Sequence, residues 1–400
     1  MSNNVLNYQN KIDQLVFKLC PNGVKSVMLG EVCEIYDGTH QTPKYTSKGV
    51  RFVSVENINA LYKSNKFISR SDYENLYKVK PRVNDVFMTR IGSIGSCTVV
   101  ESDEELAYYV TLTLIRPDLS KINPKYLKYI IESYHGQKEL RKRTLVNATP
   151  IKINLGKIGK IEIPLPPLAI QKEIANILNK FTELEAELEA ELEARLKQYE
   201  HYRRKLLGSK NECVEYKTMK DLLQRSKGTH ITAGRMNELN KNSAPIKIFA
   251  GGKTVAYVDY GDIPNKDVLT QKSIVVKSRG IVEFEYVDQP FSHKNEFWSY
   301  YSDNPEINIK YVYYYLKTTE KYFQKIANRM QMPQISLPDT ERFRIPLPSL
   351  DLQNKIVSVL DKFDSLVNDI SIGLPAELNA RRKQYEYYRN KSLAFKEYVE

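Results

Sequence analysis

Few residues in this chain are spaced to do covalent chemistry. The run Gly251, Gly252, Lys253, Thr254 resembles the end of a phosphate-binding loop, but Lys247 stands where the first glycine is required, so the backbone cradle is not encoded. His40 and His230 have no second histidine at helical metal-site spacing, and no HExxH is present. Both read as hydrogen-bonding residues. The cysteines Cys20, Cys33, Cys97 and Cys213 form no CxxC pair, which leaves neither a zinc ribbon nor a readable disulfide framework. There is no GxSxG elbow and no GxGxxG fingerprint. The glutamates of the repeated ELEA run (Glu183 to Ala194) belong on a solvated helix surface, where nothing desolvates a carboxylate to tune its pKa. The expectation is a chain with no catalytic site and no metal site.

What must position its side chains is a duplicated framework. Ile163 to Phe181 (IPLPPLAIQKEIANILNKF) recurs as Ile345 to Phe363 (IPLPSLDLQNKIVSVLDKF), and Ala194 to Leu207 (ARLKQYEHYRRKLL) recurs as Ala380 to Leu393 (ARRKQYEYYRNKSL). In each copy apolar residues step by four and three: Ile170, Ile174, Ile177, Phe181, Leu184, Leu188, and Leu352, Ile356, Val359, Phe363, Leu366, Ile370. Prolines precede both runs and keep the incoming chain extended, so the helices start after them. The first is expected from about Leu168 to Leu207; the second is expected to break at Gly373 and Pro375 and resume at Ala376. Two apolar stripes in one chain can be buried by pairing with each other as an antiparallel coiled coil, or each can pack on its own globular neighbour. The first arrangement is the expectation, with the copies related by a pseudo-two-fold axis.

The chain of 400 residues then divides into four segments: 1–160, 161–208, 209–342 and 343–400, with net charges of +9, −2, +4 and +1 within a total of +12. Positive charge gathers in the first and third segments, which points to a polyanionic partner for them and a scaffold role for the helices. Those two segments hold short β-rich runs: Val50 to Ile58, Asp85 to Val100, Tyr108 to Pro117, Ile246 to Gly252 and Ser273 to Val287. Each closes on a helical stretch, Asn123 to Ser133 or Asn308 to Thr318, and each contains Gly-Thr-His, at Gly38, Thr39, His40 and at Gly228, Thr229, His230. The fold class is α+β: two β-rich domains and two long helices in a pseudo-two-fold repeat. No secretory segment and no apolar run of membrane-spanning length is readable, and mean hydropathy is −0.48, so a reducing cytoplasm is the expected location.

This alternation of variable segments with IPLPPLAIQKEIANIL and IPLPSLDLQNKIVSVL helices, ending in RRKQYEYYRNKSL, resembles the specificity subunit of type I restriction-modification systems over essentially the whole chain. DGTHQTPKYTSKGVRFVSVENI with DVFMTRIGSIG, and IFAGGKTVAYVDY with SIVVKSRGIVEF, resemble the target recognition domains of that family. The resemblance implies that 1–160 and 209–342 each read half of a bipartite double-stranded DNA site. It also implies that the conserved helical regions 161–208 and 343–400 act as a spacer, with methyltransferase (modification) subunits and then restriction (translocase and endonuclease) subunits joining. S-adenosylmethionine, ATP and Mg are expected in those partners and no cofactor in this chain. One departure from symmetry is that the second copy has NDISIGLPAELN (Asn368 to Asn379) where the first has its ELEA tetrads. Tetrads are associated with spacer length in the family, and one tetrad lengthens a helix by ~6 Å.

For DNA contact the expected residues are Thr39, His40, Gln41, Lys44, Tyr45, Arg90, Ser93, Arg141 and Arg143 in the first domain. In the second they are Thr229, His230, Lys253, Tyr257, Arg279, Lys294, Arg329 and Gln331. Arg90 and Arg279 stand out, each at a glycine-containing turn after an expected strand. For partner binding the candidates are the Tyr- and Arg-rich helix ends, Tyr199, Tyr202, Arg203, Tyr385, Tyr387, Tyr388 and Arg389, with packing onto the chain itself as the alternative. A DNA-bridging structural protein without sequence preference is the competing reading.

Overall fold

The computed structural model describes residues 2–42, 44–208, 214–252, 254–327 and 333–399, with side chains from residue 11 onward. It separates into two compact units, residues 1–188 with 378–400, and residues 189–377. The first contains α1 (Ser2–Leu19), β1 (Ser26–Met28), β2 (Cys33–Asp37), β3 (Val50–Val53), β4 (Val86–Thr89), β5 (Cys97–Val99), β6 (Leu106–Tyr108) and β7 (Leu112–Pro117). It continues with α2 (Pro124–Glu132), α3 (Tyr134–Arg143), β8 (Glu162–Pro164) and the start of α4 (Leu168–Gly208).

Strands β2, β7, β4 and β5 form, in that order, an antiparallel sheet. Beside it β3 and β6 pair in parallel, Phe52 opposite Ala107, and β1 pairs with β8. The alternation of apolar residues along β4 and β7 is filled in on both faces, because α2 covers one side and the β3/β6 layer the other. Asn123 caps α2 through its side-chain oxygen, which accepts from Lys125 N and Tyr126 N at 3.0 Å.

The second unit repeats this plan with β9 (Glu215–Thr218), β10 (Gln224–Ser226), β11 (Ile246–Phe249), β12 (Val255–Val258), β13 (Ser273–Lys277), β14 (Glu283–Val287), β15 (Phe291–His293) and β16 (Trp298–Tyr301). Helix α5 (Ile309–Ala327), β17 (Arg344–Leu347), α6 (Leu350–Asn368) and α7 (Leu374–Ser392) complete the chain. The sheet order is β10, β16, β13, β14, and the parallel pair is β11 with β15.

Each long helix is tied to its own domain by one glutamine without exposed surface. Gln171 accepts from Asn123 N at 2.8 Å, and its amide donates to Lys121 O and Pro166 O at 2.9 and 2.7 Å. Gln353 does the same with Asn308 N, Glu306 O and Pro348 O. The proline that forces the chain to stay extended therefore also leaves a carbonyl for the glutamine to satisfy.

Within each unit a long helix meets part of the other copy's helical region, and most of its apolar stripe is taken up by that unit's own core. Ile170, Ile174 and Ile177 lie in the core of the first unit with Tyr126 and Ile163, and Ile356 and Leu360 lie in the core of the second with Tyr311 and Ile345. The phenylalanine in each stripe is what reaches the other copy's tyrosine segment. Phe181 stacks on Tyr388 with centroids 5.7 Å apart and meets Tyr385 at 6.4 Å, while Phe363 stacks on Tyr202 at 5.6 Å and meets Tyr199 at 6.2 Å. Leu184, Val359, Leu366 and Ile370 keep 38–83% of their surface exposed. A four-three stripe specifies a buried face and not what buries it, and the domain next in sequence covers each one first. The break after α6 falls where expected, with the new helix starting at Leu374; a Cβ on Gly373 would come within 2.5 Å of Ser365 O.

Candidate nucleic-acid interface

Both Gly-Thr-His segments leave the edge strand of their sheet and pair with the parallel layer. Thr39 bridges to Tyr109 and Thr229 to Lys294, both in parallel sense, and both threonines are buried. The preceding glycine is demanded by contact: a Cβ on Gly38 would lie 2.5 Å from Tyr109 O, and one on Gly228 would collide with His293 O. The histidine next in the chain is thereby lifted to the surface in both units. His40 Nε2 lies 3.0 Å from Asp37 Oδ2, and His230 Nδ1 lies 3.5 Å from Asn295 Nδ2.

The glycine turns after β4 and β13 carry a second pair of equivalent segments. Gly92 and Gly280 have φ of 82° and 75°. Gly92 N donates to Ile151 O and Ile153 N to Arg90 O; Gly280 N donates to Pro333 O and Ile335 N to Ser278 O. Ser278 is thus the counterpart of Arg90, and Arg279 the counterpart of Ile91. Successive residues of an extended segment face opposite sides, so the two arginines are not equivalent. Arg90 is 8% exposed, donates from Nε to Val110 O at 3.0 Å and holds Nη1 3.6 Å from Asp37 Oδ1. Arg279 is exposed.

The other sequence-selected residues fall in several places. Gln41, Lys44, Tyr45, Ser93 and Arg141 are exposed. Arg143 turns back onto its own helix, donating to Glu139 O at 3.0 Å and pairing with the Glu139 carboxylate at 2.5 Å. Tyr257 is half-buried on β12, and Lys294 pairs with Glu296 at 2.8 Å. Lys253, Arg329 and Gln331 lie outside the described residues.

The helix-end candidates take part in intrachain packing. Tyr199, Tyr202, Tyr385 and Tyr388 make the phenylalanine contacts given above, and Arg203 and Arg389 lie over Tyr199 and Tyr385 at 5.3 and 5.2 Å. Burial pushes the Tyr199 and Tyr385 phenols up to about 12. Tyr387 remains 59% exposed.

Sequence reasoning passed over Asp37, Asn295, Arg225 and Lys227. Asp37 precedes Gly38 as Lys227 precedes Gly228, so a charge reversal beside the shared tripeptide was the available signal. Arg225 and Lys227, both exposed, line a cleft in the second unit with Asn295 and Trp298. Beneath it His293 has no exposed surface and donates to or accepts from Ser299 Oγ at 3.1 Å; burial lowers its pKa to about 4. Nearby, Lys277 and Lys247 reach the Glu285 carboxylate at 2.7 and 2.8 Å, and these bonds overcome its burial to hold it below the usual carboxylate range. No group of His, Cys, Asp and Glu able to hold a metal ion occurs among the described residues. No helix among them is long and apolar enough to cross a membrane.

A family model described as the type I restriction modification DNA specificity domain matches the chain twice, over residues 21–198 and 211–380. The chain belongs to this family. It is similar to the specificity subunit of the Escherichia coli type I restriction enzyme EcoR124I/EcoR124II, 32% identical over 255 residues that cover 59% of this chain and 63% of that one. A putative type I specificity subunit of Mycoplasma pneumoniae is 32% identical over 298 residues, covering 68% of this chain and 82% of the relative. The chain spans 63% and 66% of the length of the Escherichia coli and Haemophilus influenzae relatives it matches. In fold it is similar to the crystallised type I restriction-modification S subunit of M. genitalium, with a TM-score of 0.62 at 17% identity over 92% of this chain and 96% of that one. A second chain, from a structural study of assembly and conformational transition in the type I restriction-modification system, gives 0.58 at 16% identity over 93% and 98%.

Proposed function

We propose that this chain is the sequence-reading component of a type I restriction-modification assembly, with each unit contacting one half of a bipartite duplex site. The observation that carries the reading is a repeated framework with unlike side chains: the same Gly-Thr-His and glycine turns occur twice, and the half-buried Asp37 and Ile91 of one unit are replaced by the exposed Lys227 and Arg279 in the other. A shared scaffold with divergent exposed side chains is suited to reading two different sequences. The exposed cations Lys44, Arg141, Arg225, Lys227 and Arg279 supply phosphate contacts.

In this reading the chain does no covalent chemistry. Methyltransferase subunits dock along the helices, restriction subunits join them, and S-adenosylmethionine, ATP and Mg belong to those partners in the cytoplasm. Helix α4, unbroken for 41 residues, is ~60 Å long and is the segment this reading assigns to the spacer. The test is selection of bound duplexes from a library randomised in two blocks with a variable gap. Enrichment of two defined half-sites at one gap is the expected result. Binding that survives competition with nonspecific DNA by less than ~10³ identifies a bridging protein instead.

A further inference from the structure

The histidines of the two Gly-Thr-His turns share a backbone setting and have opposite hydrogen-bond wiring. In the first unit Asp37 Oδ1 accepts from Gly38 N at 3.0 Å and is ion-paired with Arg90 Nη1 at 3.6 Å, while Oδ2 faces His40 Nε2 at 3.0 Å. An ionised carboxylate only accepts, so Nε2 of neutral His40 carries the proton and Nδ1 is a bare acceptor. The His40 side chain is 69% exposed, and Nδ1 has no partner among the described residues.

In the second unit the carboxylate is absent, because Lys227 stands in the place of Asp37. The counterpart of Val110 is Asn295, one residue after the strand position that pairs with the threonine. Its amide nitrogen faces His230 Nδ1 at 3.5 Å. An amide nitrogen only donates, so Nδ1 accepts and the protonated Nε2 is the atom left for solvent. One loop therefore offers an acceptor where its sibling offers a donor.

We propose that this inversion is read out on DNA. His40 Nδ1 accepts from the exocyclic amine of an adenine or cytosine in the major groove of the first half-site. His230 Nε2–H donates to a major-groove acceptor in the second, O6 or N7 of guanine, O4 of thymine or N7 of adenine, and finds none on cytosine. Asp37 and Asn295 are positioning residues that set which nitrogen is presented. The proposal rests on the sequence-specific reading above.

Two substitutions exchange the wiring. In Asp37→Asn, the Gly38 N–H and the nearby Arg90 cation keep the amide oxygen on the Oδ1 side, so the amide nitrogen turns to His40 and drives its proton to Nδ1. In Asn295→Asp, the new carboxylate accepts from His230 Nδ1–H and leaves Nε2 as the acceptor. Nitrogen-15 spectra of the full chain labelled at its five histidines, at about pH 8 where imidazoles are neutral, report the tautomers directly. The expected result is Nε2–H at His40 and His230 in the parent, and Nδ1–H at the substituted site in each variant.

Selection from the two-block library should then admit G or T, which present only acceptors, and exclude C at one position of the first half-site in Asp37→Asn, by about tenfold or more, with the second half-site unchanged. Asn295→Asp should move one position of the second half-site in the opposite sense. The untouched half-site reports that the variant is folded. A parent that selects a bipartite site while both variants keep its base preferences overturns this proposal alone. Unchanged tautomers in the variants overturn it as well. A parent that selects no sequence overturns the recognition reading and the proposal together.

Discussion

Arg90 and Arg279 stand one residue out of register in the two units. Arg90 O accepts from Ile153 N, and the corresponding bond in the second unit ends on Ser278 O, one residue before Arg279. Because extended residues alternate sides, that offset turns a buried arginine in one unit into an exposed one in the other.

The offset separates two phenotypes. Arg90→Ala removes the donor to Val110 O and the cation beside Asp37 from a position only 8% exposed, and is expected to destabilise the first unit by about 1–3 kcal/mol in denaturant unfolding. Arg279→Ala is expected to leave the unfolding midpoint in place and to reduce the salt dependence of DNA binding by about one charge. Equal loss of stability in the two variants would show that the register assignment is wrong.

Gln171 and Gln353 are expected to be among the costliest polar positions in the chain. Replacing either with leucine keeps the volume and removes partners from one backbone N–H and two carbonyls in a site without exposed surface. At roughly 1–3 kcal/mol for a buried group left unpaired, each change should cost several kcal/mol, visible as hydrogen exchange at Asn123 or Asn308. A Gln353→Leu chain with parental urea unfolding would contradict this.

The repeat was legible in the sequence because IPLPPLAIQKEIANILNKF and IPLPSLDLQNKIVSVLDKF carry the same prolines, glutamine and apolar steps, and those residues make the same bonds in both units. The break before α7 was legible from Gly373 and Pro375. What covers each stripe was not, since Ile170 and Ile356 meet residues of strands and helices far apart in sequence. Nor was the inequivalence of Arg90 and Arg279: Arg90 stands two residues before Gly92 and Arg279 one before Gly280, and which of these alternate positions is buried depends on what packs against the strand end. Asp37 was overlooked because its role depends on Arg90, 53 positions away, and not on its neighbours alone.

The ELEA run allows a direct test of helix α4 as a spacer. Removing one tetrad shortens the helix by ~6 Å and rotates the downstream chain by ~40°. Against ~3.4 Å per base pair, the preferred gap between half-sites should change by one or two base pairs, with each half-site still selected. Gap preference measured on the same two-block library decides the matter, and an unaltered gap removes the spacer role.

Acid should weaken the second unit through His293. Its folded pKa, about 4, lies below the ordinary 6.5 because burial disfavours the imidazolium. Between those values the unfolded chain binds a proton that the folded one does not, so stability is full above about pH 6.5 and falls as pH drops toward 4. The full shift corresponds to ~3 kcal/mol. His293→Gln keeps a group able to bond Ser299 Oγ and cannot titrate, so it should flatten this part of the stability profile while lowering stability at neutral pH by less than the parent loses in acid. Hydrogen exchange along β15 and β16, followed from pH 7 to 4.5, isolates the effect from the carboxylates of the first unit; an identical pH slope in parent and variant would assign the acid sensitivity to other groups.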